Sequence, residues 1–171
     1  MPTIHVCPLR LVDSEVQRLK PSGLVTLLAP DGPTPARPTH LRPDDHLIRL
    51  FHDIAYPIDD FIAPSEADVT AVIAFARRWD RKAPLLIHCF AGISRSTAAA
   101  YITACALHPE LDEADIADRL RAASPTATPN PLMILIADRM LDRDGRMRDA
   151  ITMIGQGQFA AGGDPFTFTP M

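Results

Sequence analysis

The hydrophobic positions of this chain fall into short unbroken runs, separated by segments whose apolar residues recur at helical spacing. The runs "TIHVCPL" (3–9), "GLVTLLA" (23–29), "HLIRLFH" (46–52) and "APLLIHC" (83–89) read as strands. The last is apolar almost throughout, as befits the centre of a sheet covered on both faces. Between them, 11–20 has the period of a short amphipathic helix, and 66–81 places Val69, Val72, Ile73, Phe75 and Ala76 mostly on one face. Ser65 with Asp68 three residues on supplies a start signal for that second helix. Further helices are predicted over 95–107, 112–123, 131–143 and 146–155, the third announced by Asn130 at its cap and Pro131 in its first turn.

The remaining segments are irregular. Five prolines in 30–45 stop either kind of ladder, so that stretch must be a surface loop, and 53–64 is a second irregular connection. The last residues, 156–171, form a glycine-rich tail that carries three phenylalanines; a frayed tail and a docked strap both fit, and the phenylalanines favour docking. Alternation of strands with helices predicts a single α/β domain, with its core over about 3–155. Its central, mostly parallel sheet has four to five strands and helices on both faces. Ligands of such sheets bind outside the carboxyl ends of the strands. The segment "HCFAGISRST" (88–97) sits at such an end.

Composition narrows the function classes. The 171 residues, 47% hydrophobic and 22% charged, suit one sizeable core. A net charge of −4 and a pI near 5.8 offer no basic field for nucleic acid. The apolar runs are too short to span a membrane, and 1–10 lacks the pattern of a secretory signal, so a cytoplasmic protein is expected. Cys7, Cys89 and Cys105 are odd in number and too far apart for a zinc knuckle, which fits reduced thiols better than a disulfide scaffold. The excess of arginine over lysine, with abundant alanine and proline, suits a GC-rich bacterial genome.

The chemistry gathers between Cys89 and Arg95. A loop of this length, with Gly92 at its middle and a helix behind it, can curl so that successive backbone N–H groups point inward. The helix then adds its own free N–H groups and the positive end of its dipole. The product is an anion cradle built from Phe90, Ala91, Gly92, Ile93, Ser94 and Arg95. Arg95 can grip two oxygens of a phosphate in a fork that lysine does not reproduce. The same field favours the anion of Cys89. Ser96 is placed to hydrogen-bond that sulfur, and His88 to brace the loop from the strand side.

The stretch "IHCFAGISRST" resembles the signature loop of the cysteine-dependent protein tyrosine phosphatase superfamily, and "AGISRS" is most similar to its dual-specificity branch. The likeness extends more loosely over about 23–141, where "TPNPLMILIADRML" is similar to a segment with Pro-Asn before a helix. Asn130 would then support the loop. The resemblance implies that Cys89 attacks phosphorus to form a phosphocysteine, that Arg95 binds the transferring group and that Ser96 aids breakdown of the intermediate. It implies no metal and no cofactor. It also implies an aspartate as general acid on a loop upstream of the cysteine. Asp53, just past the strand at 46–52, has the matching position; Asp59 and Asp60 have the more typical spacing to Cys89 and stay open as alternatives.

The loop residues Phe90, Ala91, Ile93 and Ser94 are uncharged, where a site for polyphosphorylated inositides would carry lysines. A phosphorylated protein, with phosphotyrosine first and phosphoserine or phosphothreonine second, is therefore the expected substrate. Two other readings remain: a phosphate-binding module of the same fold without turnover, and arsenate-reductase or rhodanese-like cysteine chemistry, which calls for a resolving thiol. Taken singly, Cys7, Cys105 and His88 are ordinary core residues. Arg37, His40 and Arg42 belong by default to a solvated loop.

Overall fold

The computed structural model describes residues 3–171. Five strands form one sheet in the order β3-β2-β4-β1-β5. They are β1 (Ile4–Pro8), β2 (Gly23–Leu28), β3 (His46–Leu50), β4 (Leu85–Cys89) and β5 (Phe166–Phe168). The first four pair in parallel, while β5 runs antiparallel along β1. The expected single α/β domain with a central, mostly parallel sheet is what forms. Strand β4 lies at the middle of the sheet with all five residues buried, which explains why its sequence is apolar without alternation.

The helices divide unequally between the two faces. Among the described helices, α1 (Val12–Leu19) is the one that covers the first face, packing Val12 and Val16 against Cys7, Leu24 and Leu86. The other face carries α2 (Glu66–Arg78), α3 (Arg95–Leu107), α4 (Glu113–Ala123), α5 (Pro131–Met140) and α6 (Arg146–Ile154), and holds the main core. Because side chains alternate along a strand, Cys7 and Cys89 fall on opposite faces, in separate clusters of core residues. Helix α3 runs through the middle of the main core and is buried from Arg95 to Cys105. Ala98, Ala99, Ala100 and Ala104 let neighbouring elements approach it closely, which is why this stretch shows no polar face.

Two helices end earlier than their apolar period predicts. Helix α2 stops at Arg78 rather than near 81, because Trp79 turns out of helical geometry and its indole N–H donates to Ser22 Oγ at 2.9 Å. Helix α5 stops at Met140 rather than 143, and Arg143 then reaches across to pair with Glu113. The start of α2 is a full capping box: Ser65 Oγ accepts from the Asp68 N–H at 3.3 Å, and Asp68 Oδ2 accepts from the Ser65 N–H at 2.9 Å. Asp68 also receives Arg49 of β3 at 2.7 Å, which ties the helix start to the sheet. Among the described residues, no helix is long and apolar enough to cross a membrane.

Candidate active site

The loop between β4 and α3 is shaped by what its carbonyl groups do. The Phe90 carbonyl accepts from the Leu9 N–H at 3.0 Å, Ala91 from Gly163 at 2.8 Å, Ile93 from Thr128 at 2.9 Å and Ser94 from Asn130 at 3.3 Å. Thr97 Oγ1 also donates to the carbonyls of Ile93 and Ser94, at 2.5 and 3.0 Å. Tying the carbonyls outward turns the peptide N–H groups toward the concave side. One of those groups, the Gly92 N–H, donates to Cys89 Sγ at 3.3 Å. Gly92 has φ +71°, and a Cβ there would stand 2.8 Å from Pro8 N and 3.0 Å from Cys7 C. Both the backbone conformation and the lack of room require glycine.

Two side chains complete the concave face. Ser96 Oγ, on the first turn of α3, lies 3.1 Å from Cys89 Sγ. Arg95 is 6% exposed; its Nη1 donates to the Phe51 carbonyl at 2.8 Å, while its buried Nε has no partner among the described residues. A guanidinium held by one nitrogen, with another donor left free in a buried cup, is arranged to receive an anion.

The loop expected to carry an acid is tied to this cup by Asp53. Its Oδ1 accepts from Ser94 Oγ at 2.7 Å and from Asn130 Nδ2 at 2.8 Å. Asn130 does double duty, because its Oδ1 caps α5 through the N–H groups of Leu132 and Met133. Asp59 and Asp60 are exposed, and Asp60 adopts φ +66° at the turn. Of the three candidate aspartates, Asp53 alone is hydrogen-bonded to the Cys89–Arg95 loop among the described residues.

Behind the loop lies a buried polar chain that sequence reasoning missed. Thr26 Oγ1 is 2.7 Å from His88 Nε2 and 2.8 Å from His46 Nε2, linking β4, β2 and β3 in a row. The hydroxyl has one proton to give and two lone pairs to receive, so it can serve both rings at once. Burial pushes both imidazoles down to about 4. His88 therefore braces β4 through Thr26. Nothing in the sequence marks Thr26 or His46, since the contact depends on strand order.

The other two thiols lie outside the cup. Cys7 and Cys105 are buried and free, and burial pushes both up to about 12. Cys7 sits on the neighbouring strand but across the sheet from Cys89, and Cys105 lies in the core near Arg143. Neither is placed as a resolving partner. Among the described residues, no group of His, Cys, Asp and Glu is arranged to hold a metal ion.

Among solved structures, that of DUSP15 is similar with a TM-score of 0.62 and 19% identity, covering 94% of each chain. The active form of Tk-PTP is similar with a TM-score of 0.53 and 19% identity, covering 82% of this chain and 90% of that one. At such identities the likeness concerns the fold. No curated protein matches the chain. The model of the protein-tyrosine phosphatase family matches residues 37–127, a little over half of the sequence and including the whole cup from Cys89 to Ser96. The chain belongs to the protein-tyrosine phosphatase family.

Proposed function

We propose that the protein hydrolyses phosphomonoesters on proteins, as a tyrosine or dual-specificity phosphatase, through a phosphocysteine at Cys89. The observation that carries this reading is the convergence of the Gly92 N–H and Ser96 Oγ on Cys89 Sγ, at 3.3 and 3.1 Å, inside a loop that also holds the unpartnered Nε of Arg95. Phosphate bound in the cup would set phosphorus against the sulfur, with inward N–H groups and the Arg95 fork spreading the charge of its oxygens.

In the first step Cys89 Sγ attacks phosphorus, the P–O bond to the substrate breaks, and Asp53 gives its proton to the leaving oxygen. Both hydrogen bonds to Asp53 end on Oδ1, which leaves Oδ2 to carry that proton. In the second step Asp53 takes a proton from water, the water oxygen attacks phosphorus, and the P–S bond breaks while Ser96 donates to the departing sulfur. Metal and cofactor have no part in this sequence. The uncharged loop residues Phe90, Ala91, Ile93 and Ser94 support a protein substrate over a polyphosphorylated inositide. The free, buried cysteines support a reducing, cytoplasmic setting. The position of Cys7 and Cys105 away from Cys89 disfavours chemistry that needs a resolving thiol.

The test is hydrolysis of p-nitrophenyl phosphate by wild type and Cys89→Ser, in chelator and reductant. Turnover by the wild type that survives chelation and vanishes in the variant is the expected result. Appreciable turnover by Cys89→Ser would overturn the covalent mechanism, and a wild type that binds vanadate without turnover would mark a phosphate-binding module instead.

A further inference from the structure

A cleft of about 490 Å³ opens beside the cup and shares Asp53, Ser94 and Asn130 with it. One part of its lining comes from the loop after β3, with Ile54, Tyr56 and Ile58; another comes from the segment after α6, with Gln158 and Phe159. That second segment is a strap fixed at both ends. At its start Arg121 Nη2 donates to the Gly155 carbonyl at 2.7 Å, and the Gln158 N–H donates to the Pro125 carbonyl at 2.8 Å. At its far end the Gly163 N–H holds the Ala91 carbonyl, and β5 pairs with β1. A Cβ on Gly163 would stand 2.9 Å from the Gly92 carbonyl oxygen, so the strap packs directly against the outer side of the phosphate loop.

Between those anchors Phe159 is 100% exposed, and Tyr56 in the same cleft is 67% exposed. Two aromatic rings are thus left in water on backbone that is tied down close by, which wastes apolar surface unless something covers it. Among the described residues, the one charged side chain in the lining, Asp53, already has Oδ1 engaged by Ser94 and Asn130. Among the described residues no Lys or Arg lines the cleft, so nothing there answers an acidic side chain or a second phosphate.

We propose that this cleft is a specificity subsite taking an uncharged apolar side chain, aliphatic or aromatic, next to the phosphorylated residue of a protein substrate. The strap residue Phe159 and Tyr56 form its apolar contact surface. The proposal rests on the phosphatase reading above. Its occupant follows from continuity: the cleft shares Asp53, Ser94 and Asn130 with the cup, so the residues flanking a phosphate held in the cup are the groups nearest to it.

The experiment compares phosphotyrosine peptides of one backbone that carry Leu or Glu on both sides of the phosphorylated residue. Each kcat/KM is divided by the same protein's value for p-nitrophenyl phosphate, which is too small to reach the cleft. Wild type should favour the Leu peptide by about tenfold or more, and Phe159→Ala and Tyr56→Ala should each bring the preference to within about threefold. Both side chains are exposed, so truncating them does not threaten the fold. Equal use of the two peptides by wild type, or a preference that survives both substitutions, overturns the proposal. Should wild type leave p-nitrophenyl phosphate intact, the phosphatase reading fails by itself, and the affinities of Cys89→Ser for the two peptides decide. Tighter binding of the Leu peptide that Phe159→Ala abolishes supports the subsite; equal affinities overturn it.

Discussion

Asn130 Nδ2 holds Asp53 Oδ1 at 2.8 Å across 77 residues of sequence, while the other end of the same amide caps α5. Helix stability and the placement of Asp53 therefore share one side chain, and two substitutions separate them. Asn130→Ala should cost about 1 kcal/mol through the lost cap. Asn130→Asp keeps a capping oxygen but replaces the donor with a second carboxylate beside Asp53. It should melt near the wild-type temperature and still lose turnover of poor leaving groups. Thermal melts paired with aryl phosphate kinetics check this, and a wild-type rate in Asn130→Asp would remove Asn130 from the site.

Asp53→Asn should slow substrates with poor leaving groups by about 10²- to 10⁴-fold, the usual range for a positioned acid, while activated esters suffer much less. Asp59→Asn and Asp60→Asn should leave that leaving-group dependence unchanged, because neither touches the cup. Rates over a series of aryl phosphates of graded phenol acidity give the answer. A steepened dependence in Asp59→Asn or Asp60→Asn would transfer the role.

Arg95→Lys should lower kcat/KM by about 10²-fold or more, since an ammonium loses both the fork and the Phe51 carbonyl that aims it. Kinetics with p-nitrophenyl phosphate, alongside vanadate affinity, should show binding and rate falling together. Wild-type kinetics would refute the assigned role.

Gly92→Ala should damage the fold locally as well as the chemistry. The left-handed backbone costs about 1–2 kcal/mol for any residue with a Cβ. The Cβ must also displace the backbone at Pro8, 2.8 Å away. Urea titration and phosphate affinity should both report a loss.

The His46–Thr26–His88 chain makes stability depend on pH. Both imidazoles sit at about 4 in the folded protein against an ordinary 6.5, so the unfolded chain binds more protons between those values. Stability is then fully present above about 6.5 and falls as pH drops toward 4. The fully buried His88 alone contributes on the order of 3 kcal/mol over that window. Urea midpoints measured from neutral pH down to about 4.5 should fall, and should fall less steeply in His46→Gln. A flat profile would mean that the rings are not held neutral.

What the sequence made legible was whatever is local. Cys89 to Arg95 is one turn of chain between a strand and a helix, so residue types and intervals suffice to name the cradle. Strands β1, β2 and β4 announce themselves because each is buried along its whole length, while the edge strand β3, only partly buried, shows as a short run of strand-forming residues. Strand β5 is different: three residues between prolines and glycines become a strand only because β1 offers an open edge. Asp53 was legible by its place after β3 but not by its distance from Cys89, since the length of an irregular loop does not fix where its side chains return. The partners Thr26, His46, Thr128 and Gly163 carry no local signal, for their roles arise where distant segments meet.

The bond from the Gly163 N–H to the Ala91 carbonyl has a consequence for synthesis. Translation delivers the signature loop, its strand and its helix well before it delivers the strap. A nascent chain that has reached α6 can already assemble the four parallel strands and bury α3, yet Ala91 lacks its outer partner and β1 its antiparallel neighbour. The phosphate cup is completed last, by residues far downstream of the motif that defines it. The final shape of the cup therefore waits on the docking of a segment that the motif itself does not contain.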